Sequence, residues 1–421
     1  MSVSVHPPTP YDVPGQAAGL LHVPISDALR QALTALGDGA VSRETDRTLA
    51  FQEIRALLDA GIGRLRVPEE FGGFGLNWVQ TTEVLLALAT EDSNVLQALR
   101  AHLAVEEEAL WRGPEDPAAA QWLRLLGQGQ SAGNAWTEPG AGGLHHSGTI
   151  VRRTPDGLRI SGEKAYTTGS IFADWLDVTA ADEDGRELGV LVRRDQPGVH
   201  VRDDWNGFGQ RTSGSGGLTL DEAEVTQSEV RELADRFPYQ TGLYQHILLT
   251  VLAGIAEAAA RDISREVRVR TRVYSHGNAE HSAADPQLLQ VVGEVDAAAA
   301  VARASVVESA RSLDRALATR TESEQSQQRV ATEVELATAR AQVGLHRLVL
   351  DSVTKIFDAL GASGVAAPKA LDRHWRNART VTSHNPWVFK ARILGDHRVN
   401  GTEPVRLWTV GEPVRAEGQS R

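Results

Sequence analysis

The stretch Ser131-Ala-Gly-Asn-Ala-Trp-Thr-Glu-Pro-Gly-Ala-Gly-Gly143 decides how the rest of the chain is interpreted. It runs from an apolar, hydroxyl-bearing segment, as in a strand, into a glycine-rich turn. A turn of this kind allows backbone amides to approach a planar or anionic ligand closely. A plain β-turn would have the same composition. The stretch therefore indicates either a ligand-binding strand or an ordinary strand and turn.

The segments on either side of this stretch have a different hydrophobic period. From Ile25 to Ala132, and again after Tyr239, apolar residues recur at spacings of three and four, as one-sided helices require. Short β-like runs, separated by glycine, aspartate and proline, lie between them. The last helical patterns are unusually long, which indicates a bundle. The sequence predicts an α+β protein with an N-terminal helical domain (1–130), a middle antiparallel β-domain (131–238) and a C-terminal four-helix bundle with a polar tail after Val405 (239–421).

Composition excludes several functional classes. The chain has 421 residues, 41% hydrophobic and 23% charged, with a net charge of −12, which disfavours nucleic acid or an anionic membrane as the partner. It contains no cysteine, so thiolate catalysis, disulfides and cysteine-ligated metals are excluded, and no metal site is predicted. No apolar run has the length of a membrane span. The first ten residues lack the features of a signal peptide. We therefore expect a cytoplasmic protein.

Two further stretches carry residues suited to chemistry. Gly162-Glu-Lys-Ala-Tyr-Thr-Thr-Gly-Ser170 places an aromatic ring and two hydroxyl groups after a strand. Near the C-terminus, the segment from Arg373 to Lys390 begins with a clump of cations and ends in an aromatic-rich turn. Between Asp372 and Asp396 there is no carboxylate. This segment therefore supplies no acidic base.

Together these stretches resemble the acyl-CoA dehydrogenase superfamily over nearly the whole chain. The family's "PEEYGGLG" loop, two flavin strands, "RxQF" region and "GGxG" turn are matched by residues 68–75, 137–142, 164–168, 270–274 and 360–364. The resemblance implies the family's fold, with a flavin between the β-domain and the C-terminal bundle, in a homotetramer. Thr137 and Thr168 would contact the polar edge of the flavin, and Arg272 its phosphate across a subunit boundary. The other cofactor contacts expected on this basis are Trp136, Tyr166 and Asn385.

The resemblance also shows where a dehydrogenase would need its base. Such an enzyme requires a carboxylate to remove the α-proton of an acyl thioester. A common position lies just after the segment matched by residues 376–379, where this chain has Asn385, and an amide cannot accept that proton. Some dehydrogenases place the base on the long helix after Tyr239. There Glu257 is the main carboxylate, with the surroundings of a solvated or paired helix residue.

A sharper resemblance is to a branch of the superfamily that oxygenates its substrates. These two-component, reduced-flavin-dependent monooxygenases include enzymes acting on dibenzothiophene, alkyl sulfones and sulfinates. The matching residues are 133–134, 204–216, 372–379, 384–390 and 399–401. In this branch a separate NAD(P)H:flavin reductase supplies the reduced flavin, which with O₂ forms a C4a-(hydro)peroxide that transfers one oxygen. Gly143 replaces a serine near the pyrophosphate, which favours FMN, with FAD as the alternative.

The narrower resemblance implies roles for individual residues. Asn134 and Thr168 would hydrogen-bond the flavin edge or the peroxide. His384 would be the acid/base partner, because imidazole titrates near neutrality, although it could also cap a turn. Arg211 and Ser215 would line the flavin pocket.

The expected substrate pocket departs from that of the enzymes acting on aromatic compounds. Gln97 and Ala101 stand where those enzymes have a histidine and a tyrosine. Gln97, with Arg100 and His102 nearby, favours a small anionic or strongly polar molecule, such as an alkanesulfinate or a sulfone. A structural role is the alternative for His102. The rival functions are an acyl-CoA dehydrogenase or oxidase with its base elsewhere, and a flavin-fold scaffold without turnover.

Overall fold

A computed structural model describes residues 23–140 and 148–405 of the chain. The predicted polar tail after Val405 lies outside these ranges. So does Gly143, which stands where the family has a serine. Within them, helices flank a single β-sheet on both sides in the sequence, which is the predicted α+β order.

The N-terminal part consists of short helices with clear capping residues. Ser26 accepts the N–H of Leu29 at the start of the first helix, and Asn77 and Gln80 form a reciprocal capping box at the start of the fourth. One predicted helix over 95–110 is interrupted at Leu99, so that Arg100 begins a new helix. The helices are α1 (Asp27–Asp38), α2 (Ala40–Asp46), α3 (Phe51–Ala60), α4 (Trp78–Glu91), α5 (Ser93–Ala98), α6 (Arg100–Arg112) and α7 (Pro117–Gly127).

The middle part is a twisted sheet with its own apolar core. Its strands are β1 (Ala132–Ala135), β2 (Ile150–Thr154), β3 (Gly157–Lys164), β4 (Trp175–Asp182), β5 (Glu187–Arg193), β6 (Val199–Val201), β7 (Leu218–Val225) and β8 (Val230–Glu232). The order is β6-β7-β3-β2-β4-β5-β8, and β1 pairs with β4. The sheet is antiparallel except that β1 and β2 both run parallel to β4. The predicted antiparallel β-domain is therefore confirmed, with these two parallel pairs at β4 as its exceptions.

Long helices dominate the C-terminal part. They are α8 (Gln240–Val269), α9 (Pro286–Ala318), α10 (Glu324–Leu360), α11 (Asp372–Ser383) and α12 (Trp387–Asn400). Helices α8, α9 and α10 pack against one another, and α4 packs on α8 and α9. Helix α8 is long and apolar enough to cross a membrane, but most of its apolar stretch is buried in this bundle. It is the central core helix.

A buried ionic cluster joins these parts at Asp177 of β4. Its carboxylate lies 2.8 Å from Arg231 and 3.1 Å from Arg236, and Glu108 of α6 pairs with the same two arginines. Burial alone would raise the pKa of Asp177, but Arg236 and Arg231 outweigh it and lower the pKa. One charged cluster thus connects the β-sheet, α6 and the segment that leads into α8.

Candidate active site

The two predicted flavin strands meet at their ends. Thr137 follows β1 and Ala165 follows β3, and the N–H of Ala165 donates to the carbonyl of Thr137 at 2.8 Å. Thr137 and Tyr166 are exposed, whereas Thr168 is buried. This edge of the sheet therefore exposes Thr137 and Tyr166, with the hydroxyl group of Thr168 buried next to them. We call these three residues the ledge.

A chain of hydroxyl groups extends from Thr168. Its Oγ1 lies 2.8 Å from Oγ of Ser215, which lies 2.8 Å from Oγ of Ser213. The Ser213 hydroxyl donates to the carbonyl of Gln210. Because each hydroxyl has one proton, Ser215 must donate to Ser213 and Thr168 to Ser215, so the Thr168 oxygen presents a lone pair at the open end of the chain.

Tyr166, in the ledge, has an unusual backbone conformation. Its φ of 54° lies in the left-handed region, which costs free energy for any residue with a Cβ. The twist turns its carbonyl toward the sheet, where it accepts the N–H of Thr168 at 2.8 Å and Nδ2 of Asn134 at 3.4 Å. Asn134 therefore supports the ledge through the Tyr166 carbonyl.

The turn between α11 and α12 faces α8. Asn385 donates from Nδ2 to Oε1 of Gln245 at 2.8 Å, and its carbonyl accepts from Gln342 of α10 at 2.8 Å. His384 lies beside it, with Nδ1 3.4 Å from Oδ1 of Asn385. The position at which dehydrogenases carry a base is thus occupied by paired amides.

His384 is accessible to solvent but closely surrounded by protein. Loss of hydration, together with the charge of Arg100, lowers the pKa of the His384 imidazole below its usual value. The ring is therefore neutral at neutral pH. In that state one nitrogen can donate a proton and the other can accept one.

Arg100, Tyr244 and Trp136 form a stack, and the charge of Arg100 acts on this histidine. The guanidinium carbon of Arg100 is 5.2 Å from the centre of the Tyr244 ring, and that ring meets Trp136 edge to face at 5.7 Å. Trp136 donates from Nε1 to Asp177 at 3.0 Å, and Arg236 lies 4.6 Å over its ring. The stack leads from the β1 strand to α6 and α8.

Two predicted pocket residues are corrected by their burial. His102 is fully buried, with Nε2 against the carbonyl of Gly63 and Nδ1 accepting the N–H of Ala132. Both ring nitrogens are used by the backbone, so His102 is a packing residue. Ala101 is 1% exposed and offers no surface to a ligand. Gln97, also buried, keeps an Oε1 atom without a hydrogen-bond partner in the described part of the chain.

Two predicted cofactor residues lie apart from the hydroxyl chain. Arg211 donates to the carbonyl of Glu44 of α2, at 3.2 Å. Arg272 is exposed on the loop after α8, where its carbonyl accepts from Arg270. In a single chain neither joins Thr168 in the hydrogen bonds that the structure describes. A contact of Arg272 with flavin across a subunit boundary stays a prediction.

Tyr244 and Gln245 were not predicted as site residues. They lie within a long amphipathic helical pattern, and only the fold brings them to Arg100 and Asn385. Arg100 was noted only as a neighbour of the pocket. Its position as the first residue of α6 depends on the interruption at Leu99, which has no recognisable sequence signal.

Glu257 is excluded as a base by its partners. Its carboxylate lies 3.1 Å from Arg303 and 3.5 Å from the hydroxyl of Thr90. It stands twelve residues after Gln245 on α8, which corresponds to about 18 Å along a helix. Glu257 is therefore a paired helix residue far from the turn at Asn385.

Comparison with known proteins agrees with this geometry. Residues 133–223 match the acyl-CoA dehydrogenase middle domain, and residues 247–388 match the acyl-CoA dehydrogenase C-terminal domain. A curated relative, the probable FMNH2-dependent monooxygenase SfnC of Pseudomonas putida, is 29% identical over 87% of this chain and 92% of its own.

Two solved structures are similar over nearly their whole length. Methanesulfinate monooxygenase MsuC from Pseudomonas fluorescens has a TM-score of 0.80 and 29% identity, covering 94% of this chain and 99% of its own. FMN-bound TdsC from Paenibacillus sp. A11-2 has a TM-score of 0.80 and 26% identity, covering 90% and 98%.

Proposed function

The chain belongs to the acyl-CoA dehydrogenase superfamily, and on that premise we propose that it is a two-component monooxygenase. It takes reduced FMN from a separate NAD(P)H:flavin reductase and uses O₂ to oxygenate a small organosulfur compound. The relatives named above support this class, since SfnC is named as FMNH2-dependent and MsuC as a methanesulfinate monooxygenase.

The observation that carries the proposal is the amide pair of Asn385 and Gln245. Neither amide can remove a proton from an acyl thioester, and Glu257 is committed to Arg303. The chain therefore lacks the group on which dehydrogenation depends at both family positions. An oxygenase has no need of that base.

The residues of the ledge fit a flavin. A flat ring system needs an open edge with hydrogen-bonding groups along it, and the ledge provides exposed Thr137 and Tyr166 with the hydroxyl of Thr168 behind them. The hydroxyl chain through Ser215 leaves the Thr168 oxygen as an acceptor for an N–H group of the flavin. We assign Thr137, Tyr166, Thr168 and Ser215 to FMN binding, and Trp136 to the wall beside it.

Reduced FMN supplies two electrons, so that one atom of O₂ enters the substrate and the other leaves as water. The protein's part is to orient the substrate, exclude bulk water and manage protons. Neutral His384 can donate from one ring nitrogen and accept at the other. Asn385 orients it, and Asn134 fixes the Tyr166 carbonyl that shapes the ledge.

Assembly and location complete the proposal. We infer a homotetramer, in which Arg272 of one chain reaches the phosphate of a flavin bound to another. The exposure of the loop carrying Arg272 and Tyr274 supports such a contact. A cytoplasmic location is proposed because the reductase partner requires NAD(P)H.

The decisive experiment feeds the protein reduced FMN from a flavin reductase and NADH, in air, with methanesulfinate, dimethyl sulfone or dibenzothiophene. We expect one of them to be oxygenated with less H₂O₂ than the reductase alone releases. Anaerobic reduction of bound FAD by an acyl-CoA would instead establish a dehydrogenase. Absence of binding to FMN or FAD in either redox state would establish a scaffold.

The cofactor assignment is tested at Thr168. Replacing it with valine keeps the shape and removes the hydroxyl, so the Kd for reduced FMN should rise by about fivefold, the cost of one hydrogen bond. Thr354→Val, on the exposed face of α10, is the matched control and should leave that Kd unchanged. Equal Kd values for reduced FMN in the two variants would show that the hydroxyl chain does not bind the flavin.

A further inference from the structure

Arg100 is a buried cation for which the described residues provide no counter-ion. It is 8% exposed, and its Nε has no hydrogen-bond partner in the described part of the chain. No described carboxylate forms an ion pair with its guanidinium. A buried charge of this kind costs several kcal/mol unless a partner compensates it.

The other buried arginines show that this is exceptional. Residues 23–140 and 148–405 bury five arginines almost completely. Four of them have carboxylate partners, namely Arg43 with Asp92, Arg66 with Glu107, Arg236 with Asp177 and Arg373 with Asp262. Only Arg100 among these five has no such partner among the described residues, and its charge is the one that acts on His384.

Two more buried polar atoms near Arg100 lack partners. The phenol oxygen of Tyr244, whose ring lies under the guanidinium, makes no hydrogen bond to the described residues. The same is true of Oε1 of Gln97, one turn before Arg100 in the chain. Burial raises the pKa of Tyr244 to about 12, so its hydroxyl keeps the proton and can donate it to an anion.

Among the described residues, no carboxylate acts on Arg100 or His384, and the two carboxylates that act on Tyr244, Asp177 and Glu108, are paired with Arg236. Loss of hydration lowers the pKa of Arg100, and Tyr244 is the only group that acts in the opposite direction. The pKa of His384 is lowered by burial and by Arg100, with no carboxylate acting against them. An anion bound at Arg100 would therefore meet a desolvated cation and a phenol donor, while a neutral molecule would leave the guanidinium charge uncompensated.

We propose that Arg100, with the Tyr244 hydroxyl, binds the negatively charged head group of the substrate, which makes the substrate an organic anion such as an alkanesulfinate. This deepens the proposed function and rests on it for the reaction. Neutral sulfones and thiophenes are excluded, because they would leave the Arg100 charge buried without a partner. Arg100 is then the residue that sets the substrate's charge.

The test measures binding separately from turnover. Methanesulfonate, an anion already oxidised, is titrated calorimetrically into the FMN-loaded protein, with dimethyl sulfone as the neutral counterpart. We expect methanesulfonate to bind and the sulfone to bind at least tenfold more weakly. Because no oxygen transfer is needed, this result stands or fails independently of the monooxygenase assignment.

Single substitutions test whether the anion binds at Arg100 and Tyr244. Arg100→Met keeps the length and apolar packing of the side chain, and should weaken methanesulfonate binding by at least about tenfold, whereas Arg100→Lys should restore part of it. Tyr244→Phe, which removes only the unpartnered hydroxyl, should weaken it by about fivefold. Arg311→Met, at an exposed arginine of α9, is the control and should bind as the wild type does.

Three further results decide the matter. Thermal stability of ligand-free Arg100→Met should equal or exceed that of the wild type, because an uncompensated buried charge has been removed. A loss of thermal stability in Arg100→Met would show that Arg100 stabilises the fold, and would overturn the proposal. So would an increased Kd for reduced FMN with unchanged methanesulfonate binding, which would assign the guanidinium to the flavin. Equal affinity for methanesulfonate and dimethyl sulfone would also overturn it.

Discussion

The side-chain amide of Asn385 donates to Oε1 of Gln245 over 2.8 Å, which ties the turn between α11 and α12 to the central helix α8. Gln342 of α10 holds the carbonyl of Asn385 from the other side. Three neutral amides therefore meet where related dehydrogenases carry a proton-abstracting carboxylate. The arrangement fixes His384 without placing a negative charge beside it.

Removing the side-chain amide of either Asn385 or Gln245 should lower the yield of oxygenated product. Asn385→Ala and Gln245→Ala should each lower the fraction of O₂ that ends in product, because the His384 turn loses its anchor. The double variant should be no worse than the poorer single variant, since one hydrogen bond of about 1 kcal/mol is lost in each case. Combining Asn385→Ala with Gln290→Ala, at an exposed residue of α9, is the additive control. Additive losses for the Asn385 and Gln245 pair would argue against coupling.

His384→Gln should redirect oxygen from product to H₂O₂ while leaving the Kd for reduced FMN unchanged. The ring handles protons in this proposal and does not hold the flavin. His397→Gln, at an exposed histidine of α12, is the matched control. Product and H₂O₂ are quantified in the reductase-coupled assay, and an unaltered product yield would remove His384 from the mechanism.

The same histidine has a predicted pH signature. Its pKa lies below the usual 6.5, so the neutral ring persists as the pH falls through 6.5. We expect product yield from about pH 6 to 8 to show no step at the ordinary histidine pKa. A wild-type step near pH 6.5 that disappears in His384→Gln would show that the ring titrates normally.

Asp177→Asn should be strongly destabilising. The substitution removes a buried negative charge that faces Arg231 and Arg236, and breaking a buried ion pair costs about 3–5 kcal/mol. Glu224→Gln is the control, because its pair with Arg159 is exposed and contributes less than about 1 kcal/mol. Thermal unfolding should show a large fall in midpoint for the first variant only. Similar midpoints for both would mean that Asp177 does not bear the charge of the cluster.

Glu106 should make stability fall as the pH rises through neutrality. Burial raises its pKa to about 7 from 4.5, with Glu107 adding to the effect and Arg66 opposing it. The folded state therefore keeps a proton that the unfolded state releases. This contribution, up to about 3 kcal/mol, is fully present below 4.5 and lost as the pH rises through 7.

Glu106→Gln removes this titration. It can still accept the N–H groups of Arg66 and Val67 through Oε1. Its thermal midpoint relative to the wild type should be higher at about pH 8 than at about pH 5.5. Glu115→Gln is the control, because a hydrogen bond from Arg320 lowers the pKa of Glu115 and keeps it charged at both values. If the difference in thermal midpoint between Glu106→Gln and the wild type does not change with pH, Glu106 does not titrate near pH 7 in the folded protein.

Much of the fold and part of the site could be predicted because they depend on local patterns. The alternation of helical and strand periods located the β-sheet, and the missing carboxylate near Asn385 could be recognised in the sequence alone. The expectation that Glu257 is a paired helix residue agrees with its contact with Arg303.

The pocket was harder because it depends on the rotation of one helix. His102 and Arg100 are two residues apart, so they point in different directions on α6. The backbone uses both ring nitrogens of His102, whereas no described carboxylate pairs with Arg100. The interruption at Leu99 sets that rotation. Tyr244 and Gln245 approach these residues through packing between distant parts of the chain, which hydrophobic period does not encode.

The Asp177 cluster has a consequence for how this protein can diversify. Its charges also anchor the Arg100 stack at the Trp136 end, because Trp136 donates to Asp177 and Arg236 lies over its ring. Substitutions at Arg100 or Tyr244, at the other end of the stack, leave these contacts of Asp177 in place. Such substitutions can therefore change which molecules are accepted while the charged cluster still holds the sheet, α6 and the segment before α8 together.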